Sequence, residues 1–282
     1  MSSLTSISGG ASSESCAAPL PKLPLVCISH ICGFLPPEDL ANTSLVSKEW
    51  GLLGGANPEL WSSPTLWDKF DLKGFFHARG LPLNVIDKKV WFDWTGLEID
   101  ESSFPDKRGV ILGLKEMFAS LEIEGDAGIT LLTLPPVTLR ELREKFLDRI
   151  RYIYPPVLAQ YGDIAETKTH LIAITNNILK GSRGLSSSVQ EVLVLGKGYE
   201  MIGVTAALAL AILTEKSSSV APPLRLFRND PWTYTRCAEL VEGHRVVVGG
   251  FAPSGLIVSN ISFDYEDFDD ALNGVGGLRK FD

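Results

Sequence analysis

LPLVCISHICGFLPPEDLANTSLVSKEW, residues Leu23 to Trp50, carries its apolar side chains at helical spacing. Ile28, Ile31 and Leu35 stand at i, i+3 and i+7, one face of a 3.6-residue helix. Pro36 and Pro37 stop that helix, since proline removes a backbone donor and turns its predecessor away from helical geometry. Pro37 then suits the first turn of a second helix, with Glu38 and Asp39 favoured there by the dipole. Leu40, Leu45 and Val46 supply further apolar contacts, Trp50 closes the segment, and Gly54-Gly55 end the last helix. Three helices this short cannot build a large core alone and need a partner or a neighbouring domain. Glu38, Asp39, Glu49, Glu59 and Asp68 face Lys48 alone. Apolar helix faces rimmed by charge are the pattern of a docking surface.

Periodicity by itself also fits the core of an unrelated helical bundle. The ordered string is more specific: Leu-Pro, two apolar helical positions, Leu-Pro-Pro-Glu-Asp-Leu, then Leu-Val-Ser-Lys-x-Trp. It resembles the F-box, with Leu66-Trp67 matching the pair that commonly closes that module. The resemblance implies docking to a Skp-type adaptor and, through it, to a cullin-RING ubiquitin ligase. It places Leu23, Pro24, Ile28, Ile31, Leu35, Pro37, Leu40 and Val46 on or beneath the adaptor-facing surface, with Trp50 and Trp67 supporting the helices. Val26 departs from the pattern, in which a glutamate often follows Leu-Pro. Cys27, His30 and Cys32 find no fourth ligand at usable spacing, so no metal and no cofactor is expected.

The net charge of −8 argues against a broad nucleic-acid surface, which needs clustered lysine and arginine. Cysteines at 16, 27, 32 and 237 form no disulfide framework, and reduced thiols in the cytosol are expected. The longest apolar run, Val204 to Leu213, is about half of a bilayer span and is flanked by Glu200 and Glu215. It reads as a buried helix, so no membrane partner is expected. Met1 to Ser15 holds seven serines and no basic residue, a composition expected to be disordered and unlike a secretory signal peptide. A Ser-rich start is also the style of bacterial type III secretion signals, although ordinary disordered tails are commoner.

The remainder is expected to be α/β or α+β, with interleaved elements. Val90–Ile99 reads as an aromatic strand, Val110–Leu121 as a helix and Gly128–Leu134 as a buried strand. Thr138 and Glu141 form a capping box opening a helix with Leu139, Leu142, Phe146 and Ile150 on one face, ended by Pro155-Pro156. His170–Thr175 reads as a strand, two helices run to about Leu213, and the end is strand-rich, Val246–Val248 and Leu256–Ser259 being joined through FAPSG. No repeat of solenoid or propeller period is visible. Six blocks, GITLLTLPP, KGSRG, GKGYE, RNDPWTYTRC, VVVGGFAPSGL and GLRKF, occur in order over residues 90 to 281. They resemble the carboxy-terminal region of F-box-like proteins from amoeba-infecting relatives of chlamydia. That resemblance implies a bacterial imitation of a ligase subunit inside a host cytoplasm, and brings no established chemistry.

The expected organisation is a disordered tail at 1–19, a three-helix F-box module at 20–70, a connector at 71–89 and a mixed α/β domain at 90–282. Asp230, Trp232, Tyr234 and Arg236 are candidates for contacting an unknown target, since Trp, Tyr and Arg dominate binding hot spots. The alternative for them is a turn whose aromatics pack on a sheet. Cys237 with His244 suggests a thiol nucleophile and its base, with Arg236 or Arg245 as positive neighbours, although most free cysteines are inert core residues. Gly181-Ser182-Arg183-Gly184 and Gly196-Lys197-Gly198 lack the spacing of a phosphate loop and read as turns, and Asp264 to Asp270 reads as a solvated acidic loop. The expectation is a non-catalytic substrate receptor. Its rival is an enzyme, a Cys237-dependent hydrolase or transferase positioned by the F-box.

Overall fold

In the second and fourth strands described below every residue is buried, which requires a sheet covered on both faces. The computed structural model describes residues 72–77, 80–99, 107–217, 225–227, 232–260 and 271–281. The chain divides into two units, Met1–Leu60 and Trp61–Asp282, and every described residue belongs to the second. The architecture there is mixed helix and sheet. In order, the elements are α1 (Leu72–His77), β1 (Leu83–Ile86), α2 (Lys88–Thr95), α3 (Lys107–Ser120), β2 (Ile129–Leu134), α4 (Leu139–Lys145), β3 (Ile150–Ile153), α5 (Pro155–Tyr161), β4 (His170–Thr175), α6 (Ser187–Leu195), β5 (Glu200–Met201), α7 (Val204–Ser217), β6 (Tyr234–Val241), β7 (His244–Ala252), β8 (Gly255–Asn260), β9 (Asn273–Val275) and β10 (Gly277–Phe281).

The strands form two five-stranded mixed sheets, ordered β1-β2-β4-β10-β5 and β3-β8-β7-β6-β9. In the first, β1 and β2 are parallel, and the remaining neighbours are antiparallel. In the second, β3 with β8 and β6 with β9 are parallel, and β6-β7-β8 is an antiparallel meander.

Helix α7 explains the layering. From Val204 to Glu215 all its residues are buried except Thr205, so it has no solvent face. A helix apolar all round needs cover on every side. One core unites α7 with Leu132, Ile172, Ile174 and Leu278 of the first sheet and with Val246, Val248, Leu256 and Val258 of the second. The other face of the first sheet, through Ile129, Leu131, Leu171 and Ala173, packs with Val110, Leu114 and Met117 of α3. The order of layers is therefore α3, first sheet, α7, second sheet. No helix among the described residues is long and apolar enough to cross a membrane.

A carboxylate stands at each end of α7, favourably at the start and unfavourably at the finish. At its start Glu239 accepts from the Val204 amide through Oε2 at 2.9 Å and Oε1 at 3.0 Å, satisfying one of the orphan donors of a helix end. At its other end Glu215 stands where the dipole disfavours an anion. Arg225 Nε at 2.8 Å and Arg149 Nη1 at 3.5 Å offset that charge.

Three readings of the sequence need correction. Val90–Ile99 is no strand: Lys88–Thr95 is helical, with the Asp87 side chain accepting from the Val90 amide and Gly96 closing the helix at φ 73°. The cap residues at both ends outweigh the strand preference of its aromatics. Stretch 71–89, read as a connector, holds α1 and β1, and β1 pairs with β2 along its whole length. Helix α4 stops at Lys145, so Ile150 begins β3, and Pro155-Pro156 open α5 at its N1 position rather than ending α4. Proline is harmless there because its missing donor has no helical partner. Leu139, Leu142, Phe146 and Ile150 still enter one core.

The capping box at Thr138 and Glu141 is present in both directions. Thr138→Ala is expected to cost about 1 kcal/mol, read as a lower urea midpoint with an unchanged m-value.

Candidate functional site

The segment around Trp232 forms a strand that crosses the second sheet beside β9 and β7. Asp230 lies outside the described residues. Trp232 is 43% exposed, and its ring centroid stands 6.0 Å from that of Tyr234. Tyr234 lies over Gly249 and Gly250. A Cβ on Gly250 would fall 2.6 Å from the Tyr234 hydroxyl oxygen, and one on Gly249 would fall 2.2 Å from the Thr233 carbonyl oxygen. Two glycines are thus what admit this segment to the sheet. Arg236 donates to the Leu185 carbonyl at 2.7 Å. Of the three described candidates, Trp232 offers the most surface, while Tyr234 and Arg236 are engaged with the protein itself.

Arg183 organises this region. Its Nε donates to both oxygens of Glu124, at 3.0 and 2.8 Å. Nη1 reaches the carbonyls of Trp232, Ala271 and Leu272, and Nη2 the Thr233 hydroxyl at 2.8 Å. The planar fork ties three separated chain segments together. Gly181 and Gly184 take positive φ on either side of it. The GSRG sequence is a structural turn whose arginine points inward. Lys197 likewise donates to the Ser120 carbonyl at 2.9 Å. Asp264 to Asp270 lies outside the described residues.

Cys237 is fully buried, and burial pushes its thiol well above the ordinary range, with the Glu239 charge acting in the same direction. A reactive cysteine needs the opposite surroundings. His244 pairs in register with Val241. Arg245 donates to the Ala238 carbonyl and to Glu191 at 2.6 Å. Iodoacetamide should leave the Cys237 peptide unmodified in the native protein at pH 8 and alkylate it in urea, as read by mass spectrometry.

A concave surface among the described residues lies elsewhere, at the edge of the first sheet. A cleft of about 290 Å³ opens where the start of α7, β6 and β10 converge. Leu134, Ile172 and Leu278 contribute apolar walls, and Glu166, Glu200, Glu239 and Lys280 contribute charge. Lys280 Nζ lies 3.2 Å from Glu166 Oε1, and His170 Nε2 lies 3.6 Å from Glu166 Oε2. Burial raises the Glu239 carboxyl above its usual range, while the Val204 amide and Arg245 oppose the shift. A second cleft, of about 400 Å³, is lined by Glu116, Lys197, Tyr199 and Arg279 and shares Glu200, Leu278 and Lys280 with the first. Among the described residues no cluster of His, Cys, Asp and Glu could hold a metal ion. The arrangement suits binding of a polar or cationic group. Sequence reasoning missed these residues because they come from segments far apart in the chain. Their one linear trace is that the GKGYE and GLRKF blocks meet, Leu278 pairing with Glu200 and Gly277 with Met201.

Known families account for the other end of the chain. Residues 20–67 match the F-box-like family. The chain therefore carries an F-box-like domain, and Leu23, Pro24, Ile28, Ile31, Leu35, Pro37, Leu40, Val46, Trp50 and Trp67 all fall within the match. These ten residues lie outside the described residues. No curated protein and no solved structure matches the chain. The function of the described residues therefore rests on their own arrangement.

Proposed function

We propose that this protein is a substrate receptor of a ubiquitin ligase. Its F-box-like domain docks a Skp-type adaptor and thereby a cullin-RING assembly, while the mixed α/β region of residues 90–282 binds the target. The observation that carries this reading is the family match over residues 20–67, a segment whose apolar residues recur at helical spacing in the sequence. The receptor works by proximity, holding a target lysine near the charged ubiquitin carrier and supplying no group to the chemistry. Buried Cys237, with its raised thiol, supports this assignment over the thiol-enzyme alternative.

The six ordered blocks of the second unit support a finer reading, in which the receptor is bacterial and acts in a host cytoplasm. Co-expression with a eukaryotic Skp-type adaptor tests the receptor assignment. The two proteins should copurify, and Leu40→Asp should separate them without unfolding the chain. Failure of the unaltered, folded protein to retain the adaptor would refute it.

A further inference from the structure

Strand β5 is an edge strand of two residues, and it pairs with β10 only at Gly277 and Leu278. On its other side β10 pairs with β4 as far as Phe281. From Arg279 to Phe281 the outer edge of β10 therefore has no strand neighbour among the described residues. Exposed edges are commonly protected by charged side chains pointing into the path of an incoming strand. Here those charges are drawn aside: Arg279 pairs with Glu116 at 2.6 Å and Lys280 with Glu166 at 3.2 Å. The two clefts share this edge, both being lined by Leu278 and Lys280. Glu116 and Tyr199 border one cleft, and the start of α7 borders the other.

We propose that the outer edge of β10 beyond Leu278 takes up an extended peptide of the target as an added strand, with one lysine or arginine side chain lowered into the cleft between Glu166, Glu200 and Glu239. The reading rests on the substrate-receptor assignment above and names what that receptor recognises. Strand addition supplies main-chain hydrogen bonds, and pockets for alternate side chains supply selectivity. The charge selects the occupant. Three carboxylates meet one lysine in the cleft, Lys280, so a cationic side chain neutralises an excess that concave walls concentrate. Ile164, an exposed apolar residue of the cleft, provides surface for the methylene stem of such a side chain. An entering cation also favours the ionised form of Glu239, which burial disfavours.

Heptapeptide pools test the proposal, each pool having one fixed central residue and mixed Val, Thr, Ser and Tyr elsewhere. Their binding to the full-length protein is read by fluorescence anisotropy. Pools fixed as lysine or arginine should bind at least tenfold more tightly than pools fixed as aspartate or glutamate. Glu200→Lys, a change at an exposed position, should erase that preference, and N-methylation of the peptide backbone beside the fixed residue should abolish binding. Equal binding by all pools, no binding by any, or binding that survives N-methylation would overturn the proposal. So would a dimer in sedimentation that Glu200→Lys dissociates, since the edge would then belong to a second copy. Calorimetry with a Skp-type adaptor on the same preparation separates the two failures. Adaptor binding without peptide selection sinks the edge site alone, and peptide selection without adaptor binding sinks the receptor assignment alone.

Discussion

Trp91→Ala should lower the stability of the unit from Trp61 onward by about 3–5 kcal/mol. Trp91 is fully buried in the core around α7, and its indole Nε1 donates to the Thr133 carbonyl at 2.5 Å. Truncation opens a cavity there and removes a hydrogen bond that fastens α2 to β2. Surrounding side chains belong to sheets and helices fixed by other contacts, so collapse into the cavity is limited. Phe92, the next residue, is 54% exposed. Phe92→Ala should change stability by no more than about 0.5 kcal/mol. Urea unfolding followed by far-ultraviolet circular dichroism measures both, without relying on a fluorescence signal that Trp91 itself supplies.

Arg225→Ala should cost about 3 kcal/mol, because it leaves a carboxylate buried with its better partner gone. The Glu215 side chain is only 2% exposed. Arg149 remains at 3.5 Å but is shared with Asp148, whose Oδ2 lies 3.2 Å from its Nε. The anion also stands near the carboxy-terminal end of α7, where the helix dipole opposes it. Adding Glu215→Leu to Arg225→Ala should recover most of the loss, since the interior then holds an apolar side chain in place of an uncompensated charge. The same urea titration on the single and double variants reads this as a return of the midpoint. A double variant no more stable than Arg225→Ala would show that Arg225 acts through packing, for instance over the Phe251 ring 5.6 Å away.

Much of this fold is legible in the sequence where one physical signal dominates. ITLLTL and HLIAIT are continuous apolar runs because β2 and β4 are covered on both faces. The run from Val204 to Leu213 is legible for the same reason, as a helix enclosed between sheets. The capping box at Thr138 is local chemistry and is read directly. Local signals also explain the misreading of α2. Val90 to Trp94 is rich in strand-favouring residues, and the deciding groups are Asp87 and Gly96 just outside it. Pro155-Pro156 is ambiguous in the same way, since proline both terminates a helix and opens one, and only the following chain decides.

The candidate site is hardly legible, because tertiary contacts define it. Arg183 joins Glu124, Thr233 and the carbonyls of Ala271 and Leu272, partners that no spacing rule connects. The density of Trp232, Tyr234 and Arg236 suggested a recognition surface, yet Tyr234 serves to seat a strand over two glycines. Glu166, Glu200, Glu239 and Lys280 form a cleft only after β5, β6 and β10 have assembled around α7. The F-box-like segment is the reverse case. Its signature is an ordered string of residues within the segment 20–67 that matches the F-box-like family.

The proposed receptor role requires residues 20–67 to dock a Skp-type adaptor. Calorimetric titration of the purified full-length protein with a eukaryotic adaptor tests it most directly, beside an Ile31→Asp variant with unchanged circular dichroism. Saturable binding with a dissociation constant on the order of micromolar or tighter is expected, lost in Ile31→Asp. Absence of binding by the well-folded protein, or equal binding by the variant, would contradict it.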